Sequence, residues 1–231
     1  MSSNNSKLVH ILESIEGAAR IAACLVFRFA LWPWYSRWGA TDDEVKRRLP
    51  GDERVPHPKL TTTLAVSIRA PAADVWPWVA QIGQERGGLY SYELLENLIG
   101  CRIHNADRIM PEWQLTAGDA VRLGPKGYPL YKVVEVQPNR ALVLAGADPK
   151  TEQPFEPSDP MPAAYANSTW TFFVDEQAGG ATRLISRNQL DYAPENFLNR
   201  LIWRWMTDPI GFVMTRKMLL GIKRRAEAVH A

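Results

Sequence analysis

Thr61-Thr62-Thr63-Leu64-Ala65-Val66-Ser67-Ile68-Arg69-Ala70-Pro71-Ala72-Ala73-Asp74-Val75-Trp76-Pro77-Trp78-Val79-Ala80-Gln81-Ile82 is the stretch whose reading orders the rest of the chain. Leu64, Val66 and Ile68 alternate with Thr63, Ala65 and Ser67, so the first half reads as a strand with one buried face. Pro71 suits the first turn of a helix, and Val75, Trp76, Val79 and Ile82 recur at helical spacing. Gly83, Gly87 and Gly88 end that helix, and a second helical stretch from Tyr92 to Leu98 stops at Gly100.

Working toward the C-terminus, short apolar runs predict strands at about 119–123, 130–136, 140–146, 168–175 and 181–191. Turn signals such as Pro138-Asn139 and Gly179-Gly180 separate them. Links this short argue an antiparallel meander rather than a parallel sheet with crossover helices. Trp170, Phe172 and Val174 share one face of the 168–175 strand, and Phe173 points the other way. One link is long: Ala147 to Asn167, rich in proline and acidic residues, which reads as a mobile loop or a lid. The chain closes with a helix over Glu195–Met206 and another from Pro209 to about Val229, with Ile210, Met214, Met218 and Ile222 in one apolar stripe.

Working toward the N-terminus, Thr41 to Leu60 reads as a connector. Thr41 or Asp42 caps a short charged helix there, and Pro50, Pro56 and Pro58 extend the approach to the first strand. Ahead of it, Gly17 to Trp34 is the most hydrophobic run of the chain, interrupted by Arg20 and Arg28. No stretch reaches the roughly 20 uncharged residues of a spanning helix, and neither a basic flank nor a clear cleavage site marks a signal peptide. Two readings stand for residues 17–38. In one the helix lies on a membrane, with Trp32, Trp34, Tyr35 and Trp38 at headgroup depth and the arginines snorkelling. In the other it packs on its own domain or on a second copy, making a homodimer. The expected organisation is therefore an N-terminal hydrophobic helix over 1–40, a connector over 41–60 and a ligand-binding domain over 61–231.

Composition narrows the function classes. The 231 residues carry 27 basic and 25 acidic side chains, a net +2 that provides no field for nucleic acid. Nine tryptophans suit an apolar core, a ring-lined cavity or a membrane interface. Cys24 and Cys101 lie far apart in unlike surroundings, which suits a reducing, cytoplasmic compartment, with any peripheral membrane attachment made through residues 17–38. The sequence has no GxGxxG, Walker, GxSxG or HExxH motif, and its four histidines are scattered. Neither a cofactor nor a metal is expected.

Further blocks carry a resemblance. They are Ala70-Pro71, Val75-Trp76-Pro77-Trp78, the run Gln81-Ile82-Gly83-Gln84-Glu85-Arg86-Gly87-Gly88-Leu89-Tyr90-Ser91-Tyr92, then His104-Asn105-Ala106-Asp107-Arg108-Ile109 with Pro111-Glu112-Trp113, and Arg216 to Lys223. Residues 61–231 resemble the START-like, or SRPBCC, superfamily with its helix-grip fold, and within it the polyketide cyclase/dehydrase and lipid-transport group. That resemblance implies an α+β fold: a curved antiparallel sheet of about six or seven strands wrapped round a long C-terminal helix. It implies a cavity between the two for a small hydrophobic molecule such as a lipid, quinone, sterol or polyketide.

Two functions follow as expectations. A carrier near a membrane would line its cavity with Trp76, Tyr90, Tyr92, Trp113, Trp170, Trp203, Met206, Phe212, Met214 and Met218. Arg187 and Asp191, four apart on one strand, would add polar handles if their face is the concave one, and are otherwise a surface ion pair. An enzyme of the cyclase or dehydratase type would use His104 as acid or base, assisted by Asp107, Glu112 or Tyr90. The alternative role of the 104–107 cluster is to tie down its own loop by hydrogen bonds.

Overall fold

The computed structural model describes residues 3–228 except 126, 127, 129, 149, 150, 157 and 159. The expected front helix is two: α1 (Ser3–Val26) and α2 (Arg28–Tyr35), broken at Phe27. The connector holds α3 (Asp42–Lys46), closed at its start by a capping box in which the Thr41 side chain accepts from Glu44 N and the Glu44 side chain accepts from Thr41 N. The remaining elements are β1 (Leu60–Ile68), α4 (Ala72–Val79), α5 (Glu93–Leu98), β2 (Ala120–Arg122), β3 (Leu130–Gln137), β4 (Ala141–Ala147), β5 (Tyr165–Glu176) and β6 (Thr182–Ala193). They end in α6 (Phe197–Arg200), a π-helical stretch over Leu201–Thr207, and α7 (Asp208–Ala228). The predicted Glu195–Met206 helix is thus mostly π-helix running straight into α7, so Pro209 lies inside a continuous helix and gives no N–H to the turn before it.

The six strands form one curved antiparallel sheet in the order β1-β6-β5-β4-β3-β2, gripping α7, so the architecture is the helix-grip α+β arrangement. On its inner face Leu64, Val66, Ile68, Leu142, Leu144, Trp170, Phe172 and Leu184 are buried against α4 and α7. From α7 they meet Val213, Met218, Leu219 and Ile222. Within the expected stripe, Met218 and Ile222 are buried, Met214 is half-buried and Ile210 is exposed. Gly221 allows α7 to come close, because a Cβ there would lie 2.5 Å from the Tyr90 carbonyl oxygen.

The outer face is not open to solvent either. Leu49, Ala65, Ala141, Phe173 and Ile185 make a second buried cluster beneath the connector, so β1 is buried on both sides instead of one. The free edge of β1 is covered too: Thr63 N donates to Ser36 O (2.8 Å) and Ala65 N to Trp38 O (3.1 Å).

Arg187 holds this outer layer. Its guanidinium, 4% exposed, donates to Thr63 Oγ1 (3.1 Å), to the carbonyls of Glu44 (2.6 Å), Val45 (3.0 Å) and Arg47 (2.7 Å), and to Asp52 Oδ2 (2.7 Å). Those carbonyls are the unsatisfied end of α3, where a cation is favoured. The expectation of Arg187 and Asp191 as cavity handles is therefore corrected. Arg187 pairs across the sheet with Thr171, next to Trp170 but on the opposite face, and Asp191 is held by Lys59 Nζ and Tyr165 Oη. Nor are they an ion pair with each other, since each finds its own partner.

Replacing Arg187 by Met keeps the volume but strands three carbonyls and the Asp52 carboxylate. The expected loss is about 3–5 kcal/mol in urea unfolding. A loss below about 1 kcal/mol would show that the connector is held by its apolar contacts alone.

Candidate functional site

Two regions differ in their lining: the apolar interior between sheet and α7, made of buried core side chains, and a polar groove at the β2 edge. Interior walls come from α4, the segment after it, β5 and α7. Trp76 is buried, and Trp170 is buried with its indole N–H donating to Ser186 Oγ (2.8 Å). Tyr90 is buried edge-on to Trp78, with its hydroxyl accepting from Gln81 Nε2 (2.9 Å) and Arg225 over its ring at 4.8 Å. Burial pushes the Tyr90 phenol up to about 12, against the Gln81 bond and Arg225, which act the other way. Met218 closes the far side.

The other expected lining residues make the following contacts. Tyr92 packs against Gly17 of α1, whose missing side chain makes the room. Phe212 is stacked on Tyr35 at 5.0 Å and edge-on to Trp34. Met214 accepts Ser91 Oγ at both its carbonyl and its sulfur, Trp203 sits 6.3 Å from the Tyr192 ring, and Met206 is exposed. Trp113 belongs to the polar groove.

The four acid–base candidates do not share a space. The His104 side chain is 89% exposed, with Nδ1 3.1 Å from Glu93 Oε1. Asp107 is exposed and reaches Arg225 at 3.5 Å, Glu112 lines the groove, and Tyr90 faces the interior. The glycines beside Tyr90 serve the chain itself: a Cβ on Gly88 would meet His104 O at 2.6 Å, and Asn105 Oδ1 accepts from Tyr90 N (2.6 Å). The 104–107 segment thus ties its own loop to Gly88, Tyr90 and Glu93.

The polar groove comprises two adjoining clefts of about 260 and 550 Å³ that share Gln84, Glu85 and Arg122. Its floor is fixed by Gln84, which accepts from Arg102 N (3.0 Å) and donates to Gly124 O (3.1 Å), while Gln84 N donates to Arg122 O (2.9 Å).

Glu96, on α5, was missed by sequence reasoning. It is 4% exposed and neither carboxyl oxygen has a hydrogen-bond partner; the nearby Ser91 hydroxyl is directed to Met214 O instead. Burial, with Glu93 adding repulsion, pushes its carboxyl up to about 7. Its only sequence signal is weak: an acidic residue on the inward side of a helix whose Leu94 and Leu98 face out.

The front helices meet α7 through a second buried polar cluster. Arg28 Nε donates to Arg204 O (2.5 Å), Arg28 Nη2 lies 3.8 Å from Asp208 Oδ2, and Tyr35 Oη donates to the same oxygen (2.8 Å). Burial raises the Asp208 carboxyl, and Tyr35 and Arg28 oppose that rise. Arg28 is consequently not available to snorkel.

Cys24 and Cys101 are free and buried. No described helix is long and apolar enough to cross a membrane.

For Glu96 the folded value lies above the ordinary 4.5. Below pH 4.5 both states hold the proton, so nothing is lost; between 4.5 and 7 only the folded state holds it, and stability falls as pH rises. Above 7 the full penalty, on the order of 3 kcal/mol, is present. Glu96→Gln should therefore match the parent near pH 4.5 and exceed it by up to about 3 kcal/mol at pH 8 in urea unfolding. Parallel pH profiles for the two proteins would show that Glu96 finds a partner.

No family model matches the sequence, and no curated protein is similar enough to count as a relative. Solved structures similar to it include norcoclaurine synthase of Thalictrum flavumn, a point mutant bound to a transition-state analogue. It is 13% identical, spans 74% of this chain and 96% of its own, and has a TM-score of 0.42. A polyketide-cyclase-like protein from Corynebacterium glutamicum is 16% identical over 74% of this chain and 93% of its own, at 0.40. A protein from Mesorhizobium loti is 14% identical over 72% and 97%, at 0.38. These likenesses concern the course of the chain and assign no residue a role.

Proposed function

We propose that this protein binds a small hydrophobic molecule in the interior between its sheet and α7, and exchanges it at a membrane surface on which α1 and α2 rest. The observation that carries this reading is the outward surface of the front helices. Leu8, Leu12, Ile15, Ala19, Ala22 and Val26 recur at helical spacing and are all exposed, opposite the buried Ser14, Gly17 and Cys24.

The apolar surface continues through Phe27 (61% exposed), Phe29 (76%) and Trp34. Nothing charged interrupts it after Arg20, which is paired with Glu16, because Arg28 is withdrawn into the cluster with Asp208. Phe29 touches Trp205 edge-on, so the surface runs on to the exposed Leu201, Ile202 and Met206 of the π-helical stretch. A patch of this extent on a water-soluble domain is costly unless something apolar covers it, and aromatic residues of this kind favour the membrane interface.

Support for the ligand comes from the interior. Trp76, Tyr90, Trp170, Phe172 and Met218 present rings and a soft thioether there. Phe212, between Tyr35 and Trp34 on one side and the core on the other, connects the outward surface to that interior.

The test is flotation with phosphatidylcholine/phosphatidylglycerol vesicles. Wild-type protein should float, and the triple variant Leu12→Ser/Ile15→Ser/Phe27→Ser should bind at least tenfold more weakly with an unchanged melting temperature. Each removed apolar contact is worth about 1.5 kcal/mol or more when fully buried. Wild-type protein that stays with the aqueous phase would end the membrane reading.

A further inference from the structure

The groove at the β2 edge holds a carboxylate that the chain supplies itself. Arg122, the last residue of β2, takes both oxygens of Glu152, at 3.0 and 3.1 Å. Both bonds come from the single terminal nitrogen Nη2, a charge-assisted pair of the kind by which a guanidinium holds a carboxylate. Glu152 does not reach Arg122 from a regular element. It sits in the 151–156 segment, which is pinned by a bridge between Ala147 and Pro154 and by Arg54, which donates to Phe155 O (3.0 Å) and pairs with Glu156.

The placement is strained. Glu152 has φ +54° and Glu85, across the same cleft, has φ +68°, a region that residues with side chains seldom occupy. Two of the four described non-glycine residues with positive φ are thus carboxylates that line the cleft with Arg122. Around them stand Arg86, which donates to Trp113 O (3.1 Å) and lies 3.5 Å from Asp119, and Arg102. Trp113 and Pro125 add apolar wall, and the volume of about 550 Å³ in the larger cleft is that of a small-molecule site.

We propose that this groove is a binding site for a small organic carboxylate, and that Glu152 is a built-in stand-in holding the ligand's place on Arg122. A ligand carboxylate takes Arg122 Nη2 as Glu152 leaves it, so one ion pair replaces another and no covalent bond is made or broken. With Glu152 displaced, Arg122 loses its carboxylate while Arg86 keeps Asp119, and Arg122 and Arg102 then favour an anion beside Glu85. Trp113 and Pro125 receive the ligand's organic body. This site is distinct from the interior and from the front helices, and the inference does not rest on the membrane reading.

The test uses benzoate as probe and benzamide as its uncharged control, titrated calorimetrically into the full chain without vesicles. Both groups of the pair are partly exposed, with side chains 30% and 36% accessible, so the competition they exert is modest. Glu152→Gln should bind benzoate about fivefold more tightly than wild type. Adding Arg122→Gln should abolish that binding. Benzamide should bind none of them, and melting temperatures report that each variant is folded. The proposal is overturned if Glu152→Gln binds benzoate no better than wild type, or if binding survives Arg122→Gln. Either result leaves the flotation experiment, and the reading it tests, untouched.

Discussion

A guanidinium can stay charged in a protein interior only if acceptors surround it, and Arg187 meets that condition with five donated bonds. Much of the architecture follows from satisfying it. The three carbonyls come from the end of α3 and the carboxylate from Asp52, so the connector must lie flat on the outer face of β1, β6 and β5. With that face and the β1 edge covered, the inner face is left as the one side on which α4 and α7 pack. The path of the connector also fixes where the front helices stand, because residues 36–38 run along β1 before α3 begins.

The second constraint is where charge has been removed from view. Arg28 breaks the most hydrophobic run in the sequence, yet it neither faces solvent nor interrupts the apolar surface. Asp208, Tyr35 and the carbonyl of Arg204 absorb it, and in doing so they bolt α2 to the junction of the π-helical stretch with α7. The same contact thus performs two tasks: it holds the front helices on the domain and leaves their outward side free of charge beyond Arg20. Docking on the domain and resting on a membrane, which the sequence poses as alternatives, are compatible because they use opposite faces of α1.

Polar chemistry has been moved out of the interior. The histidine and carboxylates that look equipped for proton transfer are spent on loop geometry and on solvent-facing pairs, while the arginines with room beside them gather at the β2 edge. Glu96 is the exception, a buried acid without a partner, held there by the helix to which it belongs and costing more the higher the pH.

What the sequence by itself determined is the order and type of nearly every element. Alternation at Leu64, Val66 and Ile68 marks β1, the spacing of Val75, Trp76 and Val79 marks α4, and short links mark an antiparallel sheet. The placement of Phe173 away from Trp170 and Phe172 was equally legible. These are local signals, because side-chain direction along a strand or helix is set by backbone geometry within a few residues. The break at Phe27, the π-helical turn and the partners of Arg187, Arg28 and Arg122 were not legible. Arg187 finds its connector acceptors 135 to 143 residues away, and Arg122 finds Glu152 30 residues on. A pattern tells which side of an element is apolar or charged, but not what will cover it. Whether Arg187 lines a cavity or clamps a connector, and whether His104 meets a substrate or water, was decided only when packing in three dimensions chose the neighbour.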